Sequence, residues 1–216
     1  MDRKAARKVY QVLNEQYPEA STHHRAGAPP FESLIATVLS AQTTDKSVDE
    51  VIGPLFARYP DAPALAEARV EVVEQIIHKT GFYHMKARRI IDASRMLVEE
   101  FGGDVPDTMD CLLRIPGVGR KTANIVLYHS FGKQEGIAVD THVLRLSQLV
   151  GFSDKNDAAG VEQDLLALFR KDEWGKLTDL MISHGRKICI ARRPRCTICP
   201  IKQLCHYHRE FVLSVV

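Results

Sequence analysis

The run Ile115-Pro-Gly-Val-Gly-Arg-Lys-Thr-Ala-Asn124 lies within residues 112–140, the stretch around which the chain is organised. Pro116 and Gly117 end whatever precedes them, because proline cannot continue a helix and glycine admits a left-handed turn. Gly119 opens a new helical pattern that continues to Phe131. Two helices joined by Pro-Gly-Val-Gly make a tight hairpin, and the amides at the start of its second helix can receive a phosphate. Lys121 then falls in the first turn of that helix. The partial positive charge of a helix N-terminus disfavours an ammonium and favours the amine that a nucleophile needs. A solvated lysine fits the same place, and position alone leaves both readings open.

The 216 residues are 45% hydrophobic and 26% charged, which suits one large domain or two small ones with proper cores. No apolar run reaches the length of a membrane span. The opening Met1-Asp-Arg-Lys-Ala-Ala-Arg-Lys8 continues into a helical pattern and does not read as a leader, so a cytoplasmic protein with no membrane partner is expected. The net charge of +2 hides an asymmetry. Residues 181–209 hold seven Lys or Arg and no Asp or Glu, leaving 22 basic and 27 acidic residues elsewhere. A mildly acidic body with one basic patch points to a localised polyanion site. A solvated charge run is the plainer alternative, and the four cysteines nearby favour the functional one.

Apolar spacing predicts helices over residues 3–17, 31–41, 46–59, 69–78 and 87–101. Asp45 is the expected cap of the third, which Gly53-Pro54 should kink or split. A short helix from Thr108 or Asp110 leads into the hairpin. Beyond residue 131, helices are expected over residues 141–149 behind Asp140 as cap, from 157 or 160 to 169, and over 174–188. The reading is all-α, with about ten helices. Thr80-Gly-Phe-Tyr83 is a turn with two aromatics, followed by Lys86, Arg88 and Arg89. Aromatics beside basics suit base stacking with phosphate contact, or Phe82 and Tyr83 staple two helices together.

Cys189, Cys196, Cys199 and Cys205 follow the spacing C-x6-C-x2-C-x5-C, while Cys111 stands apart and reads as a buried apolar residue. Four thiols this close, with Pro194 and Pro200 turning the chain, want a metal and not disulfides. Zinc ribbons usually pair two C-x2-C knuckles, and only one is present. Uneven spacing in a closed loop suits a [4Fe–4S] cluster, with zinc as the alternative. Fixing both ends of the loop between Cys189 and Cys196 would present Arg192, Arg193 and Arg195 as a rigid basic knob.

Four pieces together resemble the endonuclease III family of DNA base-excision glycosylases. They are Leu39-Ser-Ala-Gln-Thr-Thr-Asp45, the hairpin run of residues 115–124, Ala138-Val-Asp-Thr-His-Val143 and the four-cysteine loop. The resemblance spans essentially the whole chain. It implies a two-domain, all-α helix–hairpin–helix glycosylase fold with the DNA groove between the domains. A six-helix domain would cover residues 25–136, and residues 1–24 with 137–216 would form an iron–sulfur domain whose four cysteines hold a [4Fe–4S] cluster. It also implies a monomeric, nucleoid-associated enzyme of base excision repair that acts on double-stranded DNA, removes oxidised pyrimidines and cleaves abasic sites by β-elimination.

Carried over residue by residue, the resemblance makes Lys121 the nucleophile and Asp140 the catalytic carboxylate. The helix dipole favours the lysine's amine, whereas Asp140 favours its ammonium. Gln42 matches the residue inserted where the damaged nucleotide leaves the stack, and Gly117 and Gly119 match the phosphate-holding glycines. Phe82 occupies the wedge position, usually leucine in the family, and His84 and Met85 depart from the family pattern too. The alternatives are a monofunctional mismatch glycosylase, whose relatives lack the lysine, or a non-catalytic DNA-binding iron–sulfur module, which would dispense with Lys121 or Asp140.

Overall fold

Five of the described helices start where a side chain occupies an unpaired amide, and three stop at a glycine. In α1 (Arg3–Gln16) the carboxylate of Asp2 accepts the Ala5 N–H at 2.7 Å, and Ala6, Val9 and Leu13 form the buried stripe. Helix α2 (Pro30–Ser40) buries eight of its eleven residues, as its all-round apolar sequence requires. Helix α3 (Asp45–Arg58) is capped by the Thr44 hydroxyl, which accepts the Ser47 N–H at 3.3 Å, and not by Asp45, which is its first helical residue. Pro54 does not split it. Gly53 and Pro54 lie on its exposed face, where water can reach the carbonyl that proline leaves without a donor.

The computed structural model describes residues 1–21 and 27–212, among which there are eleven α-helices and no strand. Beyond α3 come α4 (Ala62–Ala66), α5 (Val70–Ile77), α6 (Tyr83–Phe101), α7 (Met109–Arg114), α8 (Arg120–Phe131), α9 (Thr141–Val150), α10 (Ala158–Leu168) and α11 (Trp174–Lys187). The five-residue α4 is too short to show a helical period in the sequence. Helix α6 begins four residues earlier than its apolar pattern indicates. Helices α6, α8 and α9 end on Gly102, Gly132 and Gly151, all left-handed.

The chain divides into two compact units, His23–Glu135 and Met1–Thr22 with Gly136–Val216. One division falls a residue before the expected 136/137, and the other, expected at 24/25, lies outside the described residues. In the first unit α2 packs along α8, and α6 against α4 and α5, around Leu34, Leu55, Ile90, Leu97 and Leu127. Seven described helices belong to it, counting α4. In the second unit α1 packs on α10 and α11, and α9 on the same two helices, around Val9, Leu13, Val143, Leu165 and Leu180. The N-terminal helix therefore completes a core made mostly of C-terminal residues. Lys176 ties the two ends together by donating to the Pro18 and Ala20 carbonyls at 2.8 and 2.9 Å. Among the described residues no helix is long and apolar enough to cross a membrane.

Candidate active site and metal centre

The hairpin in the first unit is built by two short backbone bonds. Ile115 N–H donates to the Leu112 carbonyl at 3.1 Å and Val118 N–H to the Ile115 carbonyl at 3.0 Å. The side chains of Ile115 and Val118 are buried, which pins the turn to the core and leaves both glycines outside. Gly117 has φ +83°, and a Cβ there would stand 3.4 Å from both Arg89 and Val38. Only glycine takes that corner without strain. Gly119 caps α8 in extended backbone, with no capping side chain. The first intrahelical bond runs from Ala123 N–H to the Gly119 carbonyl at 2.9 Å, so the amides of the first turn have no partner within the helix. Lys121 stands in that turn, exposed, with no carboxylate partner among the described residues.

Gln42 and Phe82 are the two non-glycine residues with positive φ among those described, at 52° and 57°. Each such corner costs about 1–2 kcal/mol. They stand on adjoining loops, after α2 and before α6, whose backbones approach so closely that a Cβ on Gly81 would lie 3.2 Å from the Gln42 carbonyl oxygen. Both line one cavity with Met85, Arg89, Gly117 and Thr122, which brings the hairpin glycine to the same place. Phe82 is 62% exposed, so it staples nothing, whereas Tyr83 packs on the core. The two aromatics of the turn thus part company.

Lys86 is a residue whose role the sequence reading missed. It is 3% exposed, and its amine donates to the Leu39 carbonyl at 2.8 Å and to the Thr43 hydroxyl. It is therefore no phosphate contact. The signal was present in the period, because Lys86 shares a helix face with the buried Ile90, Ala93 and Leu97. Burial pushes its amine down from 10.5 to about 8. Between those two values the unfolded chain binds a proton that the folded chain does not, so stability rises with pH across that window and is lost as pH falls through 8. The stability of the wild type relative to Lys86→Met should therefore increase by up to about 3 kcal/mol from pH 7 to above pH 10.5. Urea unfolding at the two pH values checks this.

In the second unit Asp140 caps α9, its Oδ1 accepting the Val143 N–H at 2.7 Å. The preceding Ile137-Ala138-Val139 is buried. Ile137 N–H donates to Glu162 at 3.1 Å, and the Thr178 hydroxyl donates to the Ala138 carbonyl at 3.2 Å. The half-exposed carboxylate is thereby fixed by backbone on both sides.

The four cysteines line one cavity at the end of α11. Cys189 N–H donates to the His184 carbonyl at 2.9 Å, and Arg195 N–H closes the loop on the Ile188 carbonyl at 2.9 Å. A 3₁₀ turn, Cys196–Ile198, presents the middle pair. Arg192, Arg193 and Arg195 are exposed, and Cys111 is half-buried and belongs to the other unit. Arg145 donates to the Cys189 carbonyl at 2.6 Å, and the Cys205 thiol to the Leu149 carbonyl at 3.3 Å. His184 places Nε2 3.5 Å from the Cys199 Sγ and Nδ1 3.0 Å from the Tyr17 hydroxyl. Burial, with Arg145 adding to it, holds His184 down at about 4, so the ring is neutral. A ligating thiolate can only accept; Nε2 then carries the proton and Nδ1 accepts from Tyr17.

The all-sulfur donor set fits an iron–sulfur cluster. All four cysteines line the same cavity, which suits a cluster of four irons with one thiolate each. Burial pushes the Cys199 thiol up to about 11 and raises Cys189 and Cys205 as well, so assembly of the cluster must expel protons.

The family model of HhH-GPD superfamily base excision DNA repair proteins matches residues 35–171, and that of the iron–sulfur binding domain of endonuclease III matches residues 189–205. The cofactor of that loop is a [4Fe–4S] cluster. The endonuclease III of Synechocystis sp. is 46% identical over 93% of this chain and 91% of its own length. A solved trapped endonuclease III–DNA covalent intermediate is similar with a TM-score of 0.91 at 38% identity, covering 97% of this chain and 98% of the other. A non-covalent endonuclease III–DNA complex gives 0.92 at 37% identity, covering 99% of each. With its helix–hairpin–helix and its four-cysteine loop in place, the chain belongs to the endonuclease III family of base excision repair proteins.

Proposed function

We propose that this DNA glycosylase and AP lyase removes oxidised pyrimidines from double-stranded DNA, with Lys121 as nucleophile and Asp140 as the anion that steadies the sugar. The observation that carries the reading is an exposed lysine without a carboxylate partner in the first turn of α8, directly behind a hairpin whose second helix starts with no side-chain cap. A lysine placed by a bound phosphate is placed at that nucleotide's sugar. Its amine attacks C1′ of the extruded nucleotide, and the base leaves with the electron pair of the glycosidic bond. Loss of the amine proton and opening of the sugar ring give a Schiff base. Removal of a C2′ proton then expels the 3′ phosphate by β-elimination. The Asp140 charge stabilises the oxocarbenium-like sugar, and its capping bond holds that charge in place.

The two domains divide the work. Residues 25–136 supply the hairpin, Lys121, Gln42 and Phe82; residues 1–24 with 137–216 supply Asp140 and the iron–sulfur loop. A strained corner that leaves its side chain in water serves no packing purpose, which supports Gln42 and Phe82 as the residues that enter the duplex. An aromatic wedge stacks on whichever base it meets. The protein would act as a monomer in the cytoplasm, on nucleoid DNA. The test is borohydride trapping of the full, cluster-loaded protein on duplexes bearing thymine glycol or an abasic site. A covalent complex is expected on both, and its absence would sink the bifunctional reading.

The basic loop makes a second measurable demand. Each lysine or arginine that neutralises a phosphate adds about 0.9 to the slope of log affinity against log salt. Replacing Arg192, Arg193 and Arg195 together by Ala should therefore lower that slope by about 3 and weaken binding to all duplexes alike. Fluorescence anisotropy across a salt series measures it. An unchanged slope would remove the loop from the DNA contact.

A further inference from the structure

We infer that Lys86 is a positioning residue for opening the duplex: its amine fastens the loop that carries Gln42 to the helix start that carries Phe82, so that both side chains are presented together. The inference rests on the reading of Gln42 and Phe82 as inserting residues. Three observations lead to it. The first is connectivity. Lys86 N–H donates to the Phe82 carbonyl at 3.0 Å, one helical turn from one strained corner. Its side chain reaches Leu39 and Thr43, which bracket the other.

The second observation is the state of the α2 C-terminus, where the last carbonyls of a helix need donors from outside it. The Val38 carbonyl accepts the Ala41 N–H, that of Ser40 accepts the Thr43 N–H, and that of Thr37 accepts the Ser40 hydroxyl. The Leu39 carbonyl accepts the Lys86 amine, from 47 residues away. A cation also complements the negative end of the helix dipole. Lys86 therefore caps a carbonyl in the last turn of α2, three residues before Gln42.

The third is the choice of side chain. A leucine or methionine on this face of α6 would fill the core without burying an amine, which is costly to remove from water. A buried lysine is retained where its bonds do something that packing cannot. Here they hold a left-handed glutamine that would otherwise relax to an extended conformation and withdraw its side chain. Gly81 serves the same purpose, because a Cβ there would stand only 3.2 Å from the Gln42 carbonyl oxygen.

The role separates from plain stability because it concerns extrusion and not bond breaking. Single-turnover excision of thymine glycol would be measured with the cluster-loaded full chain on two substrates: a fully paired duplex, and a bulge in which the lesion is already unstacked. Lys86→Met is expected to slow the paired substrate about 10- to 100-fold more than the bulged one, the scale of a misplacement of about an ångström. Lys86→Arg should restore part of that difference. Thr43→Val, which removes one acceptor and leaves the lysine, should show a smaller loss of the same kind. It decides the matter if Lys86→Met fails to fold. Gln42→Ala and Phe82→Ala serve as references. If they are selective for the paired duplex while Lys86→Met and Thr43→Val are not, the inference is overturned and the insertion reading stands. If neither reference variant is selective, the insertion reading falls and the inference falls with it.

Discussion

Lys121→Gln is expected to yield no borohydride-trapped complex and to cut the lesion strand roughly 10⁴-fold or more slowly, the scale on which enzymes lose a covalent nucleophile. The substitution isolates chemistry from structure. Glutamine keeps a polar side chain of similar reach, but its amide nitrogen has no available electron pair. Lys121 is exposed and unpaired among the described residues, so its loss should change stability by no more than about 0.5 kcal/mol. The hairpin amides proposed to hold the phosphate belong to the backbone and are untouched. DNA binding should therefore survive while turnover does not. Denaturing gels of the trapping reaction, read beside anisotropy on the same duplex, separate the two. A trapped complex persisting in Lys121→Gln would mean that another amine attacks C1′, and would return Lys121 to the role of solvated lysine that its position alone also allows.

The parts of this site legible in the sequence are those whose physics is local. Pro116-Gly117 must end a helix, Gly119 must begin one, and Asp140 is a good cap whatever lies around it. The four cysteines likewise carry their message in their spacing. What stayed hidden depends on partners far along the chain. Lys86 looks basic and exposed until its acceptors, Leu39 and Thr43, are folded against it. His184 meets Tyr17 across 167 residues, and no local pattern announces that pair. Between Phe82 and Tyr83 the sequence offers two aromatics and no means of telling which turns inward. A single left-handed φ at Phe82 decides it, sending one ring to solvent and the other to the core. Thr44 and Asp45 are both good caps, and only the register of α3 chooses between them.

Cys199→Ala is expected to abolish the visible absorption of the cluster, to open residues 189–205 to protease and to weaken DNA binding about 10²-fold at moderate salt, as befits the loss of a few phosphate contacts. After α11 the described chain has only a 3₁₀ turn and one five-residue helical segment, His208–Val212, and its apolar contribution to the core of the unit centres on Ile201. Closure by metal must supply most of the remaining order, since binding free energy at such a site is folding free energy. Without the cluster the Cys189 and Cys205 thiols hold their protons, both being raised by burial. The alanine also leaves the buried His184 Nε2 without its acceptor, a cost of about 1–3 kcal/mol. Helices α1, α9, α10 and α11 keep their own apolar core, so far-ultraviolet helicity should survive the loss of the loop. The arginines should not act alone: Arg192, Arg193 and Arg195 can present charge in one direction only while both ends of their loop are fixed. A colourless variant that still bound DNA with the full salt slope would show the loop holding itself, and the cluster would then need another reason to be there.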